Sequence, residues 1–211
     1  MNNKRITPLF STPLYTSNIG YSEAVLDYIK KIEYIRSGPD KNTTNGYCSK
    51  NIALLNVPEL ILFKKSILHE VNYFLNEQLS FSNEINFNIT TSWATKHDKG
   101  DYSQPHHHCN SLYSGIVYLQ VDDNSGDIVF NNKFKSPLYP QEINIEIKEF
   151  NILNSSTWAI TPKNNDILIF PSHLTHEVTP SRSDQLRYAL AFNIFPSGIL
   201  NKNSISELRL L

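Results

Sequence analysis

The sequence has few cysteines, no excess of basic residues and no long apolar run. Only two of its 211 residues are cysteine, Cys48 and Cys109, which excludes a disulfide framework and suits a reducing compartment. Lysine and arginine number 19 against 20 acidic residues, so nothing indicates the basic surface that nucleic-acid-binding proteins use. No apolar run approaches the roughly 20 residues that span a bilayer, and the opening MNNKRITPLFSTPLY lacks the apolar core of a signal peptide. We therefore expect a soluble, cytoplasmic protein that binds neither nucleic acid nor membrane.

The apolar content is that of a folded protein, with 40% hydrophobic and 11% aromatic residues. The length suits a single domain over residues 1–211.

Two helices are predicted in the first half. The first is capped by Ser22 and runs to about Arg36, with an apolar face made by Val25, Ile29, Ile32 and Ile35 and with Gly38 beyond its end. The second is capped by Asn56, has Pro58 in its first turn, and carries an apolar stripe of Leu60, Phe63, Ile67, Val71 and Phe74. The polar segment between them, Arg36 to Lys50, is predicted to be a loop.

From about Ile85 the pattern changes to short segments rich in β-branched and aromatic residues. These segments are INFNITTSWATKHD, SGIVYLQV, GDIVFN, NDILIFPS and RYALAFNIF, and turn signals such as DDNSG and PKNND separate them. We predict an α+β protein with a helical elaboration at about 20–80 and an antiparallel β core at about 85–197. So many short strands favour a sandwich or jelly roll over an open sheet.

Three adjacent histidines, in QPHHHCN, raise the question of a metal site. On an extended segment, His106 and His108 would share one face while His107 points away. Two imidazoles on one face can bind the same metal ion, with a third ligand from elsewhere. The segment ILIFPSHLTHEVTP reads as strand, turn and strand, and it offers His176. The alternative is a solvated polar patch of histidines.

Arg187 opens a strand, RYALAFNI, in which it shares a face with Ala189, Ala191 and Asn193. A charged residue aligned with two alanines is unusual for a solvent-exposed face. It suits an interior with room for a small anion, because a guanidinium binds carboxylates at two points. A plain solvated arginine is the alternative.

Four ordered segments resemble the 2-oxoglutarate- and Fe(II)-dependent oxygenases of the type common in phages and bacteria. They are GDYSQPHHHCNSLYSGIVYL (Gly100 to Leu119), GDIVF (Gly126 to Phe130), FPSHLTHEVTP (Phe170 to Pro180) and RYALAFN (Arg187 to Asn193). The opening TPLFSTPLY also resembles the start of that family. The resemblance implies a double-stranded β-helix, a jelly-roll or cupin-like barrel, with the early helices packed outside it.

The resemblance also implies a role for individual residues. His106 and His176 match the metal histidines, and His108 occupies the position where most such enzymes have Asp or Glu. Arg187 matches the arginine that binds the distal carboxylate of 2-oxoglutarate, and Tyr118 lies in a strand that presents a hydroxyl to this cosubstrate. Asn110, Asn193 and Trp93 are expected around the metal or the substrate. The chain departs from the pattern at His173, Cys109 and Ala189, where the family has Trp, Pro and Ser.

By this resemblance the protein is an oxygenase that uses Fe(II), 2-oxoglutarate and O2, releases succinate and CO2, and hydroxylates a substrate that the sequence does not identify. Two alternatives stay open on the residues alone. One is a cupin-like metalloenzyme that does not use 2-oxoglutarate, since three-histidine sites also bind zinc. The other is a non-catalytic jelly-roll binding module.

Overall fold

The computed structural model describes residues 5–37, 45–132 and 145–210. In these ranges the strands are β1 (Tyr15–Asn18), β2 (Tyr34–Arg36), β3 (Tyr47–Ser49), β4 (Asn86–His97), β5 (Ser103–His106), β6 (Tyr113–Gln120), β7 (Ile128–Asn131), β8 (Thr157–Ile160), β9 (Asp166–Pro171), β10 (Thr175–Val178), β11 (Arg187–Leu200) and β12 (Leu208–Leu210). The helices are α1 (Glu23–Lys31) and α2 (Ile61–Asn72); two 3₁₀ turns, Leu54–Asn56 and Pro58–Leu60, precede α2, and a π-helical segment, Tyr73–Gln78, follows it. None of the helices in the described ranges is long and apolar enough to cross a membrane.

The strands form two antiparallel sheets. The larger runs in the order β1-β9-β6-β11-β4-β3-β2, with β12 added to the end of β11, and the smaller runs β5-β10-β7-β8. Because β11 lies between β4 and β6, residues of these three strands that share a face lie side by side.

Each face of the large sheet has its own apolar layer. One face packs against the helices, and its cluster contains the even-numbered residues of β11, Tyr188, Leu190, Phe192 and Ile194. The opposite face carries Tyr118 and Ala189 and packs against Ile128 and Phe130 of the small sheet. The two sheets therefore face each other as the predicted double-stranded β-helix, with the helices outside it. The predicted alternation of faces in β11 is confirmed.

The prediction for the first helix is wrong at its C-terminal end. The helix ends at Lys31, and Tyr34–Arg36 is a strand that pairs with Tyr47–Ser49 and widens the large sheet. The Tyr34 hydroxyl donates to the carbonyl of Ile29 and so satisfies a group at the helix end. As a result Ile35, expected in the core, is 53% exposed. The predicted loop is likewise partly strand, and Gly38 lies outside the described residues.

The apolar stripe of the second helix is confirmed, because Leu60, Phe63, Ile67, Val71 and Phe74 are all buried. Its predicted cap is wrong. Asn56 ends the first 3₁₀ turn, and its side chain accepts a hydrogen bond from Lys64 instead. Pro58 begins the second 3₁₀ turn, and the α-helix itself begins after Leu60.

Candidate functional site: a histidine cluster beside a buried arginine

The structure brings His106, His108 and His176 together between the sheets. His106 and His176 are directly paired residues of β5 and β10. One ligand atom from each of the three rings lies within 4.8 Å of the others. The ring centroids are 4.4 Å apart for His106 and His176 and 5.2 Å apart for His108 and His176. Within the described part of the chain, this is the one cluster of His, Cys, Asp and Glu suited to a metal ion.

His108 reaches this cluster by a route that period-2 geometry did not predict. The strand ends at His106, so His108 lies beyond it. The backbone N–H of His108 donates to the carbonyl of Ser172, 2.9 Å away, next to β9. This backbone contact and the hydrogen bond of the ring to Asn193, rather than strand alternation, place His108 beside the other two histidines.

Each of the three rings makes a hydrogen bond through Nδ1 to an oxygen. The acceptors are the carbonyl of Gln104 for His106 (2.8 Å), the carbonyl of Leu174 for His176 (3.0 Å) and Oδ1 of Asn193 for His108 (2.8 Å). A carbonyl oxygen can only accept, so the proton lies on Nδ1 of each ring. All three Nε2 lone pairs are therefore available to one cation.

Aromatic side chains form the wall around His176. The ring of Phe170 lies 4.8 Å from that of His176, and the ring of Phe130 lies 6.0 Å away. Burial, followed by the charge of His106, lowers the pKa of His176 to about 3. The same two causes lower the pKa of His108 to about 4. Both imidazoles are neutral at neutral pH, which is the form that binds a metal.

Asn193 connects His108 to a buried polar network behind the cluster. Its Oδ1 also accepts from the Ser114 hydroxyl at 2.8 Å, and its Nδ2 donates to Thr91 Oγ1 at 2.9 Å. On the other side of His108 the indole ring of Trp93 stacks at 5.5 Å between centroids. Asn193 and Trp93 thus both contact the cluster through His108.

Other polar side chains near the motif do not join the cluster. His107 and His173 are exposed, and His107 contacts Cys109 instead. Asp101 pairs with Arg36 at 2.8 Å. Asn110 is exposed, with a backbone φ of +54°, and its side chain forms no hydrogen bond with any residue that the structure describes. Of the two asparagines expected around the metal or the substrate, Asn193 makes the hydrogen bond to a histidine of the cluster.

Arg187 is buried between the sheets at 1% exposure, with few partners. Its Nη1 donates to the carbonyls of Ser125 and Gly126 at 3.4 and 3.5 Å, and its Nε has no partner. Its guanidinium carbon lies 5.3 Å from the ring centroid of Tyr118 on the neighbouring strand. The buried hydroxyl of Tyr118 also lacks a partner, and burial raises its pKa to about 12, so it stays a donor.

The polar groups of Arg187 and Tyr118 are suited to binding a carboxylate. A buried guanidinium with an unpartnered Nε and a buried hydroxyl without a partner cost free energy unless an acceptor lies between them. Among the described residues no acidic side chain forms an ion pair with Arg187. The acceptor is thus expected to come from a ligand.

His97 is a buried polar residue paired with Arg187, and it was not predicted from the sequence. It is the last residue of β4 and the direct partner of Arg187 in β11. It is 3% exposed, and its Nδ1 has no hydrogen-bond partner. The signal was in the strand SWATKH, where alternation places Trp93, Thr95 and His97 on one face.

Part of the chain matches a known protein family. Residues 91–193 match a family model described as "Putative 2OG-Fe(II) oxygenase". Residues 91–193 are thus similar to a 2-oxoglutarate/Fe(II)-dependent oxygenase domain. The match spans the histidine cluster, Tyr118, Arg187 and Asn193. A comparison with curated protein sequences finds no match.

Solved structures of such oxygenases share the fold at low sequence identity. The epimerase SnoN from nogalamycin biosynthesis, solved with Fe3+, alpha ketoglutarate and nogalamycin RO, is 12% identical with a TM-score of 0.63, covering 94% of this chain and 90% of its own. A prolyl-4-hydroxylase of Pseudomonas putida is 10% identical with a TM-score of 0.55, covering 88% and 94%. An oxidoreductase of the 2OG-Fe(II) oxygenase family from Burkholderia pseudomallei is 15% identical with a TM-score of 0.56, covering 82% and 78%. These likenesses confirm the double-stranded β-helix.

Proposed function

We propose that His106, His108 and His176 bind Fe(II), that Arg187 and Tyr118 bind 2-oxoglutarate beside it, and that the enzyme hydroxylates its substrate. The observation that carries this proposal is that one ligand atom from each of three histidines lies within 4.8 Å of the others, in a barrel that also holds a buried arginine with an unpartnered Nε. The family match to residues 91–193 supports the same assignment.

Each protein group has a task in this reaction. Bound Fe(II) and 2-oxoglutarate supply the oxidising chemistry of the class, in which O2 is consumed and succinate and CO2 are released. Arg187 and Tyr118 orient the cosubstrate through its distal carboxylate. Asn193 accepts a hydrogen bond from Nδ1–H of His108 and so holds this ring in place. The aromatic side chains of Phe130, Phe170 and Trp93 keep water away from the cluster. His106 is the exposed member of the cluster, so we expect the substrate to approach from its side.

The donor set differs from the two-histidine, one-carboxylate triad that is usual for non-haem Fe(II) oxygenases. With three neutral imidazoles the ion would keep its full charge of +2, which favours binding of an anionic cosubstrate. The same donor set is also found around zinc. A cupin-like metalloenzyme that does not use 2-oxoglutarate is therefore the second candidate, and the free Nε of Arg187 favours the oxygenase over it.

Hydroxylation is one of several outcomes that this oxidation can have. SnoN is described as an epimerase, and a further structural neighbour from nogalamycin biosynthesis as a carbocyclase. We propose hydroxylation because it needs no substrate group beyond a C–H bond. We further propose that the protein acts in the cytoplasm of a bacterium or of a phage-infected cell, as its sequence resemblance suggests.

Turnover of the cosubstrate alone tests the proposal. Protein loaded with Fe(II) should convert 2-oxoglutarate to succinate slowly in the absence of a primary substrate. His106→Ala and His176→Ala should abolish both metal binding and succinate release, whereas His107→Ala, its matched control one residue away, should leave both unchanged. Metal binding without any succinate release would favour the cupin-like candidate, and loss of metal in His107→Ala would contradict the ligand assignment.

A further inference from the structure

His97 and Arg187 lie next to each other on the inner face of the large sheet. They are directly opposed residues of β4 and β11, so their side chains point to the same side. Both are almost completely buried, at 3% and 1% exposure. Each has one buried nitrogen without a hydrogen-bond partner, Nδ1 of His97 and Nε of Arg187.

The orientation of the His97 ring follows from its other neighbours. A Cβ atom at residue 46 would lie 2.2 Å from Cδ2 and 2.7 Å from Nε2 of His97, so this edge of the ring packs directly on Gly46. Gly46 immediately precedes β3, which borders β4 on the side away from β11. Since Nδ1 lies on the opposite edge of an imidazole from Cδ2, the unpartnered nitrogen is on the side of Arg187.

A neutral His97 ring has one proton, which it can present on Nδ1 as a donor. Burial and the positive charges of Arg187 and Arg36 lower its pKa to about 3, so the ring is neutral at neutral pH. Nε2 lies 3.3 Å from the hydroxyl of Ser103, which can donate to it. With Ser103 donating to Nε2, the single ring proton is on Nδ1, at the edge of the ring that lies toward Arg187.

Two buried donors without an acceptor indicate that the pocket is built for an acceptor from outside. We propose that His97 is a second binding residue for the distal carboxylate of 2-oxoglutarate, donating Nδ1–H to it alongside Arg187. This inference rests on the proposed function. The distal carboxylate would then be bound by His97 of β4, Arg187 of β11 and Tyr118 of β6. These are three adjacent strands of one sheet.

Two isosteric replacements of His97 separate binding from packing. The amide nitrogen of Asn superimposes on Nδ1 of histidine, whereas the amide nitrogen of Gln superimposes on Nε2. His97→Asn therefore keeps the donor toward Arg187, and His97→Gln keeps the contact with Ser103. In calorimetric titrations of Ni(II)-loaded protein, where no turnover occurs, His97→Gln should weaken 2-oxoglutarate binding about tenfold and His97→Asn less than about threefold.

The affinity for Ni(II) and the midpoint of thermal unfolding serve as controls and should be similar in both variants and in Ser103→Ala. In the Arg187→Gln background, His97→Gln should have a smaller effect than in the wild type, because the two residues share one partner. Should a variant not fold, the wild-type protein loaded with Zn(II) gives a second measurement. Adding 2-oxoglutarate should shift the NMR resonance of the His97 Nδ1 proton.

The outcomes distinguish this inference from the proposed function. If the wild type binds no 2-oxoglutarate, the proposed function fails. If the wild type binds it and Arg187→Gln weakens binding while His97→Gln does not, only the role of His97 is overturned. Equal weakening by Asn and Gln, or an Nδ1 proton resonance that does not move, would also overturn it, since either result indicates that His97 only packs.

Discussion

Asn193 fixes which nitrogen of His108 faces the cluster. Its Oδ1 accepts from His108 Nδ1 at 2.8 Å and is itself held by Ser114. Replacing Asn193 by Ala should free the ring to rotate and to change tautomer, and loss of such a partner typically lowers metal affinity by about 10- to 100-fold. A competition titration against a chromophoric chelator measures this affinity. Asn110→Gly is the control, because Asn110 is exposed, has a positive φ that glycine adopts without strain, and forms no hydrogen bond with the histidines, so this variant should bind metal like the wild type. Equal affinities for wild type and Asn193→Ala would show that the amide does not position the ligand.

Arg187 carries the charge that would meet the cosubstrate. Arg187→Ala should weaken 2-oxoglutarate binding by roughly 2–4 kcal/mol and leave metal affinity unchanged, because it removes the guanidinium but none of the three clustered histidines. Arg187→Lys should recover part of the loss, since an ammonium group cannot reproduce the two-point geometry. Equilibrium titration of metal-loaded protein measures both variants. An unchanged affinity in Arg187→Ala would refute the role of this residue.

At the scale of single elements, β6 and β11 approach each other through a glycine. A Cβ at residue 115 would lie 2.3 Å from Cζ of Phe192, which is its direct partner in β11 and is fully buried. Gly115→Ala should therefore lower the free energy of unfolding by about 1–3 kcal/mol through overpacking. Denaturant unfolding measures the change. Gly20→Ala is the control, because nothing lies within 4 Å of an added Cβ there, and it should be nearly neutral. A neutral Gly115→Ala would mean that the ring of Phe192 can move aside.

The elements that could be predicted from the sequence are those with a strong local pattern. The stripe from Leu60 to Phe74 and the alternation in β11 each repeat over several residues, so the buried face follows from the period alone. Strands such as Tyr34–Arg36, Ser103–His106 and Thr157–Ile160 are three or four residues long, and pairing with other strands stabilises them rather than local propensity.

Some residues of the candidate site could likewise be predicted from the sequence and others could not. His106, His176 and Arg187 could be found from residue type, spacing and the family resemblance. The contact between Asn193 and His108 could not, because it joins residues 85 positions apart and His108 is held by a backbone hydrogen bond to Ser172 that no local pattern predicts. His97 could have been found by extending the face of Trp93 two residues at a time along β4.

For the whole molecule, the lowered pKa of His97 predicts how stability depends on pH. The folded protein holds this ring neutral down to about pH 3, whereas the unfolded chain takes up a proton near the ordinary value of 6.5. In this window the unfolded state binds more protons, so stability is full above pH 6.5 and falls as the pH decreases. For one histidine the loss is about 2 kcal/mol between pH 6.5 and 5.

Chemical denaturation of the metal-free, ligand-free protein at several pH values tests this dependence. His176 and His108 also have lowered pKa values and add to the total slope. His97→Gln removes one titrating group, so its stability should fall less steeply than that of the wild type over the same range. Parallel curves for the two proteins would show that His97 is not held neutral by the fold.

The central claim is that one face of this barrel holds a metal ion and 2-oxoglutarate together. Anaerobic addition of 2-oxoglutarate to the Fe(II)-loaded protein tests it most directly, because chelation by the keto acid produces a visible metal-to-ligand charge-transfer absorption. We predict that the wild type and His107→Ala develop this band at similar 2-oxoglutarate concentrations and that Arg187→Ala requires far higher concentrations. Fe(II) bound to the wild type with no such band at saturating 2-oxoglutarate would contradict the account.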